Sequence, residues 1–256
     1  MKNRLRSVRD HLSKARVATE GRGNSPMIHR PTAPSGKEAT DQDRLKALAA
    51  EVGGDWREHE YYARAEEDDW IQTFWREESP FRSLLTLCEP SVALEIACGH
   101  GRHTYQLLSE YPECVVTAQD INQENIDSVK GRFEGDSRVS PLLGNGYDLT
   151  PLRDESFTLV FSYDAMVHFD DEVVFSYLQE IVRVLKPGGR ALLHHSNWTG
   201  TPGGSHRDNR GWRNFMSHIW VAHGAQKLGL NVVQQVVIPW ADCVALDAIS
   251  LLEKPI

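Results

Sequence analysis

The chain has 256 residues, 40% of them hydrophobic, with a formal net charge of -8. That length suits one large folded domain with an appendage better than two equal domains. No apolar run approaches the roughly 20 residues that span a bilayer, and the amino terminus lacks the apolar core of a secretory signal, so a soluble cytoplasmic protein is expected. Cys88, Cys98, Cys114 and Cys243 form no CxxC or Cys/His ligand spacing, which speaks against a disulfide framework or a structural zinc site.

The charge is uneven. Residues 1–40 carry nine Lys/Arg against three acids, while the remaining 216 carry nineteen against thirty-three. In "MKNRLRSVRDHLSKARVA" the apolar residues Leu5, Val8 and Leu12 recur at helical spacing among basic ones, and "GRGNSPMIHRPTAPSG" reads as a linker. This segment is either a solvated, partly disordered tail or a weak contact with an anionic membrane surface or a partner. An organellar targeting peptide is a lesser option, given Asp10 and no cleavage signal.

From residue 41 the pattern is helical: "DQDRLKALAAEV", then "EHEYYARAEEDDWIQTFW", then "PFRSLLTLCE" with proline at a first-turn position. Residues 41–90 thus form a helical entry segment, and 91–256 a sheet domain. "VALEIA" (92–97), "CVVTAQD" (114–120), "RVSPLLGN", "FTLVFSYDA" (157–165) and "GRALLHHSN" (189–197) read as strands. They alternate with the helices "RHTYQLLSEY", "NQENIDSVKGRF" and "EVVFSYLQEIVRVL". Such alternation predicts parallel strands with crossover helices, a doubly wound α/β sheet. A helix is expected over about 212–228. After it, "NVVQQVVIPW" and "VALDAISLLEK" lie too close for a crossover helix and should pair antiparallel, making the sheet mixed.

In an open α/β sheet ligands settle beyond the carboxyl ends of the strands, and the first strand-to-helix turn is the usual place. Here that turn is "ALEIACGHGRHT" (93–104). Gly99 and Gly101 can take positive φ or let a ligand lie against the main chain, and the following helix offers unpaired N–H groups. A dinucleotide site would want a third glycine where Thr104 stands. A carboxylate at Glu95 would repel a pyrophosphate and favour an ammonium or a bound water.

These residues resemble the class I S-adenosylmethionine-dependent methyltransferases. "LEIACGHGR" is similar to their first motif, with Ala97 in place of the usual first glycine, and Asp120 in "VVTAQDIN" matches the acid that holds the ribose hydroxyls. "LLGNGYDL" is similar to the segment beside the adenine, with Asn145 where an acid is common, leaving open whether Asn145 or Asp148 reaches the base. "RVLKPGGRALLHHS" is similar to the helix, turn and fifth strand of the family. The resemblance covers about 90–197 and implies a Rossmann-like seven-stranded mixed sheet of order 3-2-1-4-5-7-6. It also implies S-adenosylmethionine as cofactor, in contact with Glu95, Ala97, Gly99, Gly101, Arg102, Asp120, Ile121, Asn145, Gly146 and Tyr163.

What the resemblance implies chemically is transfer of a methyl group in line from a sulfonium to a nucleophile, with a base needed if the acceptor is a poorly ionised hydroxyl. "SYDAMVHFDD" places Asp164 and His168 just beyond the fourth strand, with His168 the first choice for the base, against the plain reading of a histidine that hydrogen-bonds its loop. His194 and His195 end the fifth strand and point to opposite faces, and His195 completes the candidate set. Asp164, Asp170 and Asp171 could offer oxygen ligands to magnesium, but acids also favour a helix start, and no metal is expected. In "HHSNWTGTPGGSHRDNRGWRNFMS", Asn197, Trp198, Arg207, Arg213 and Asn214 could bind a small polar acceptor, including a saccharide, by stacking and hydrogen bonds. An ordinary surface loop with Trp212 packed on the next helix is the alternative. Tyr61, Tyr62, Trp70 and Trp75 belong either to a lid over the cofactor or to the core. The acidic body disfavours a nucleic-acid substrate. Other readings of the same sheet are N- or C-methylation of another small molecule or protein, a non-catalytic adenosylmethionine-binding domain, and a nicotinamide-dependent oxidoreductase.

Overall fold

The computed structural model describes residues 40–57, 59–240 and 242–256. The readings of the basic tail over residues 1–39 lie outside the described residues. Four helices form the entry segment: α1 (Asp41–Asp55), α2 (Tyr61–Ala65), α3 (Asp68–Trp75) and α4 (Pro80–Leu85). Then follow β1 (Val92–Ile96), α5 (Arg102–Glu110), β2 (Val115–Asp120), α6 (Gln123–Arg132), β3 (Val139–Leu143), β4 (Phe157–Ser162), α7 (Asp171–Val184) and β5 (Leu185–Ser196). The chain closes with α8 (His218–Lys227), β6 (Asn231–Trp240) and β7 (Cys243–Glu253).

The seven strands form one sheet of order β3-β2-β1-β4-β5-β7-β6, in which β7 runs antiparallel to both β5 and β6. Alternating side chains along each strand feed two cores. Ala93, Leu159, Phe161 and Leu192 pack under α3 to α6, while Leu94, Ile96, Val160 and Leu193 pack under α7 and α8. The order reverses at β1, which lies between β2 and β4, so a crevice opens where β1, β2 and β4 end.

Two expected elements differ. "EHEYYARAEEDDWIQTFW" is two helices, because Glu66 ends α2 and Glu67 lies in extended backbone before α3 restarts on Asp68 and Asp69. The helix expected from about residue 212 starts at His218, capped by Ser217, whose side chain accepts from the Trp220 N–H. Residues before it form short 3-10 turns at His206–Asp208 and Arg210–Trp212, the latter bent by left-handed backbone at Gly211 and Trp212. All four cysteines are free. Among the described residues no helix is long and apolar enough to cross a membrane.

Candidate active site

The turn after β1 is built from three left-handed residues in alternation, Ala97 (φ 58°), Gly99 (φ 53°) and Gly101 (φ 78°). Positive φ is costly for any residue with a side chain, so Ala97 is strained where both glycines are not. Each reversal turns the backbone outward before Gly101 caps α5. Gly99 donates its N–H to Asp120 Oδ2 (2.9 Å), joining the turn to the end of β2. The other oxygen of Asp120 accepts from the Asn122 N–H (2.9 Å) and from Asn125 Nδ2 (3.0 Å).

Above this floor lies a crevice, part of it open to solvent, between the strand ends and the entry segment. Of the residues named from the sequence, Ala97, Gly99, Arg102, Asp120, Ile121, Gly146, Tyr163, Asp164 and His168 line it. Two acceptor atoms on lining residues, Asn125 Oδ1 and Gln119 Oε1, are buried without a hydrogen-bond partner. With the Asp120 carboxylate they make a strip of acceptors that suits the hydroxyl and amino donors of an adenosine. The entry segment closes the crevice. Tyr62 lies so near Gly99 that a Cβ there would sit 2.8 Å from its ring. Its ring stacks on His100 at 4.1 Å, and its hydroxyl accepts from Asn125 Nδ2 at 3.0 Å.

The far end is flanked by Asp164 and His168. Asp164, also left-handed (φ 58°), receives Arg102 Nη2 at 3.1 Å in a buried ion pair and a hydrogen bond from the Tyr61 hydroxyl. The Tyr61 oxygen in turn accepts from Trp70 Nε1 at 2.8 Å. His168 is buried, with Nδ1 2.7 Å from the Trp212 carbonyl oxygen. A carbonyl only accepts, so Nδ1 carries the proton and Nε2 keeps its lone pair. Burial, reinforced by the nearby Arg213 charge, lowers the His168 pKa to about 3. Around it Trp56 stacks obliquely on His168 at 4.6 Å and meets Tyr61 and Trp212 edge-on.

Several named residues do not line the crevice. Glu95 is buried beneath the turn, bonded to the Thr104 hydroxyl, and burial raises its pKa to about 8. Its carboxyl is therefore largely neutral and gives the turn little negative charge. Gly101 faces Phe133, and Asn145 caps its own loop by accepting from the Tyr147 and Asp148 N–H groups. His195 is sealed on the opposite face against Ser250 Oγ (2.7 Å), whereas His194 points back and accepts the Asp164 N–H (3.1 Å). Strand alternation makes that division: neither histidine lines the crevice, and His194, the one not named as catalytic, contacts the backbone of Asp164 from behind.

The loop residues are committed elsewhere. Arg207 pairs with Asp55 and Glu51 of α1, Arg213 with Asp247, and Asn197 with the Ala245 carbonyl and His218. The Asn214 side chain accepts its neighbour's N–H, and Trp198 Nε1 is buried without a partner. Sequence reasoning missed Trp56, Gln119, Asn125 and His100 as lining residues. Asn125 had a signal, since it lies in the first turn of the helix that follows Asp120 at the end of β2; Trp56 had none, because its position depends on how α1 packs. Among the described residues no cluster of three or more His, Cys, Asp or Glu is placed to hold a metal ion.

A family model described as a methyltransferase domain matches residues 93–189. Over 103 residues the chain is 28% identical to the O-methyltransferase rstn1 of Aspergillus nomiae, covering 39% of this chain and 44% of that one. Over 99 residues it is 34% identical to the phthiotriol/phenolphthiotriol dimycocerosates methyltransferase of Mycobacterium tuberculosis, covering 38% of this chain and 34% of that one. It therefore spans less than half the length of the curated relatives it matches. Its fold is similar to that of a SAM dependent methyltransferase from Aquifex aeolicus, at TM-score 0.55 and 16% identity, covering 75% of this chain and 96% of that one. Over residues 93–189 the chain is similar to a methyltransferase domain, and its strand order and the glycine turn tied to an acid on β2 are those that the resemblance to class I S-adenosylmethionine-dependent methyltransferases implies.

Proposed function

We propose that the protein transfers a methyl group from S-adenosylmethionine to a hydroxyl of a small acceptor, with His168 as general base. When bound, the cofactor supplies an electrophilic methyl on a sulfonium. Asp120, Asn125 and Gln119 would hold its nucleoside, and the turn from Ala97 to Arg102 would lie against its amino-acid end. The observation that carries the reading is the His168 tautomer: with Nδ1–H held by the Trp212 carbonyl, the ring offers the crevice an unprotonated Nε2.

The low pKa of His168 supports an acidic acceptor. An imidazole that binds protons weakly removes one efficiently only from an acidic oxygen, so a phenol or enol fits better than an aliphatic alcohol. The oblique Trp56 ring beside His168 suits a planar body. The residues offered for a saccharide are spent on internal pairs, which weighs against that class. The O-methyltransferase name of the Aspergillus nomiae relative agrees with an oxygen acceptor.

Calorimetry with S-adenosylmethionine, followed by a labelled-methyl assay on a panel of phenols, alcohols and sugars, tests the proposal. We expect label on phenols. His168→Gln should keep cofactor affinity and lower turnover by about 10²-fold or more. Label only on sugars or protein, or full turnover in the variant, would sink it.

A further inference from the structure

Outside the crevice, Arg213 and Asp247 form a bidentate ion pair with almost no exposure, Nε and Nη2 donating to Oδ1 and Oδ2 at 2.8 and 2.6 Å. From this pair two branches run to the two flanks of the reacting end. On the first, Arg213 Nη1 folds back to donate to the Gly211 carbonyl at 2.7 Å. That closes a tight loop in which Gly211 (φ 60°) and Trp212 (φ 57°) are both left-handed, and the Trp212 carbonyl is the group that holds His168 Nδ1. A tryptophan adopts such backbone only where its surroundings impose it. Released from the Arg213 fork, Trp212 would relax to negative φ and swing its carbonyl away from His168.

On the second branch, Asp247 Oδ2 lies 3.4 Å from His194 Nε2. This contact is too poorly aligned to count as a hydrogen bond, but it favours a proton on Nε2. His194 Nδ1 is then free to accept the N–H of Asp164, the strained residue on the other flank. One carboxylate thus stands behind both non-glycine residues that flank the reacting end in left-handed backbone.

We propose that Arg213 and Asp247 are positioning residues, a buried ion pair that sets the His168 tautomer and the Asp164 backbone from outside the crevice. That His168 is the base rests on the methyl-transfer reading; that the pair sets its tautomer does not. Arg213 and Asp247 touch neither the crevice nor the cofactor strip, so their effect is on orientation and not on binding. Lysine cannot replace the fork, since it carries the charge without the paired planar donors.

Nitrogen NMR of the full chain labelled on histidine, with His168→Gln and His194→Gln for assignment, tests the idea. In the wild-type protein His168 should be protonated on Nδ1 and His194 on Nε2, opposite tautomers in one molecule. The opposite state at either ring overturns the proposal, with no variant required. In Asp247→Asn and Arg213→Lys, the His168 Nε2 resonance should move from the unprotonated position towards exchange-averaged values. A folded variant, shown by an unchanged circular dichroism spectrum, that keeps the single wild-type tautomer overturns it too. Calorimetry with S-adenosylhomocysteine should give the same affinity in wild type and both variants; a loss confined to the variants would assign the pair to ligand binding instead. No binding in the wild type would defeat the functional reading while leaving the tautomer result to decide the positioning role.

Discussion

Ala97 holds a Cβ at φ 58° in a turn whose other two reversals are glycines. The left-handed conformation costs a residue with a side chain on the order of 1 kcal/mol or more, partly offset by the smaller unfolded-state freedom of alanine. Ala97→Gly should therefore raise the urea midpoint, by up to about 1 kcal/mol in stability. Glu95 makes a second prediction, this one about pH. Its pKa rises on folding from 4.5 to about 8, so between those values the folded chain binds a proton that the unfolded chain releases. That contribution is complete below pH 4.5 and is lost as pH rises towards 8. Thermal melts from pH 5 to 8 should show Glu95→Gln gaining stability relative to wild type as pH increases; a constant difference would mean Glu95 is ionised throughout. At this scale the sequence was informative about placement where a residue's position follows from a strand end, as with Asp120 and Gly99, which both line the crevice. It was misleading for Arg207 and Arg213, because a guanidinium in a loop looks the same whether it waits for a ligand or is already paired with a carboxylate more than thirty residues away.

Helix α1 is held over the crevice by polar contacts as well as by packing of Leu45 and Leu48 on the second core. Thr40 and Asp43 form a capping box at its start, Arg44 pairs with Glu172, and near its end Glu51 and Asp55 hold Arg207, with His206 Nε2 2.8 Å from Asp55. The Arg44–Glu172 and Arg207–Glu51 pairs are largely exposed, so each adds little to global stability. Their effect is local. Arg207→Ala should change the unfolding midpoint by less than about 1 kcal/mol yet speed amide exchange across α1, and salt should mimic it in the wild-type chain. Equal exchange in the two proteins would show that Leu45 and Leu48, packed on the second core, hold the helix unaided. Among the elements, the strands and crossover helices were legible because buried parallel strands leave uninterrupted apolar runs such as "VALEI" and "FTLVF". The 3-10 turns between β5 and α8 were not, since they rest on backbone reversal at Gly211 and Trp212, and a tryptophan carries no local signal for it.

At the scale of the whole molecule, the sheet offers its strand ends and the entry segment supplies the cover. Phe81 of α4 stacks on Tyr163 at 3.7 Å, and the Tyr163 hydroxyl donates to the Phe74 carbonyl at 3.2 Å, so the cover and the residue following β4 form one aromatic unit. The antiparallel ending was predictable from the short interval between the last two strands. The packing of the cover was not, because helix patterns state which face is apolar and not which surface receives it. The placement of Tyr62 has a kinetic corollary. The main chain of Gly99 is covered by a phenol ring from the chain itself, so on the proposed reading a nucleoside that lies against that main chain has to displace the ring first. Its uptake, followed by stopped-flow fluorescence, should level off to a ceiling rate as concentration grows, and Tyr62→Ala should remove the ceiling.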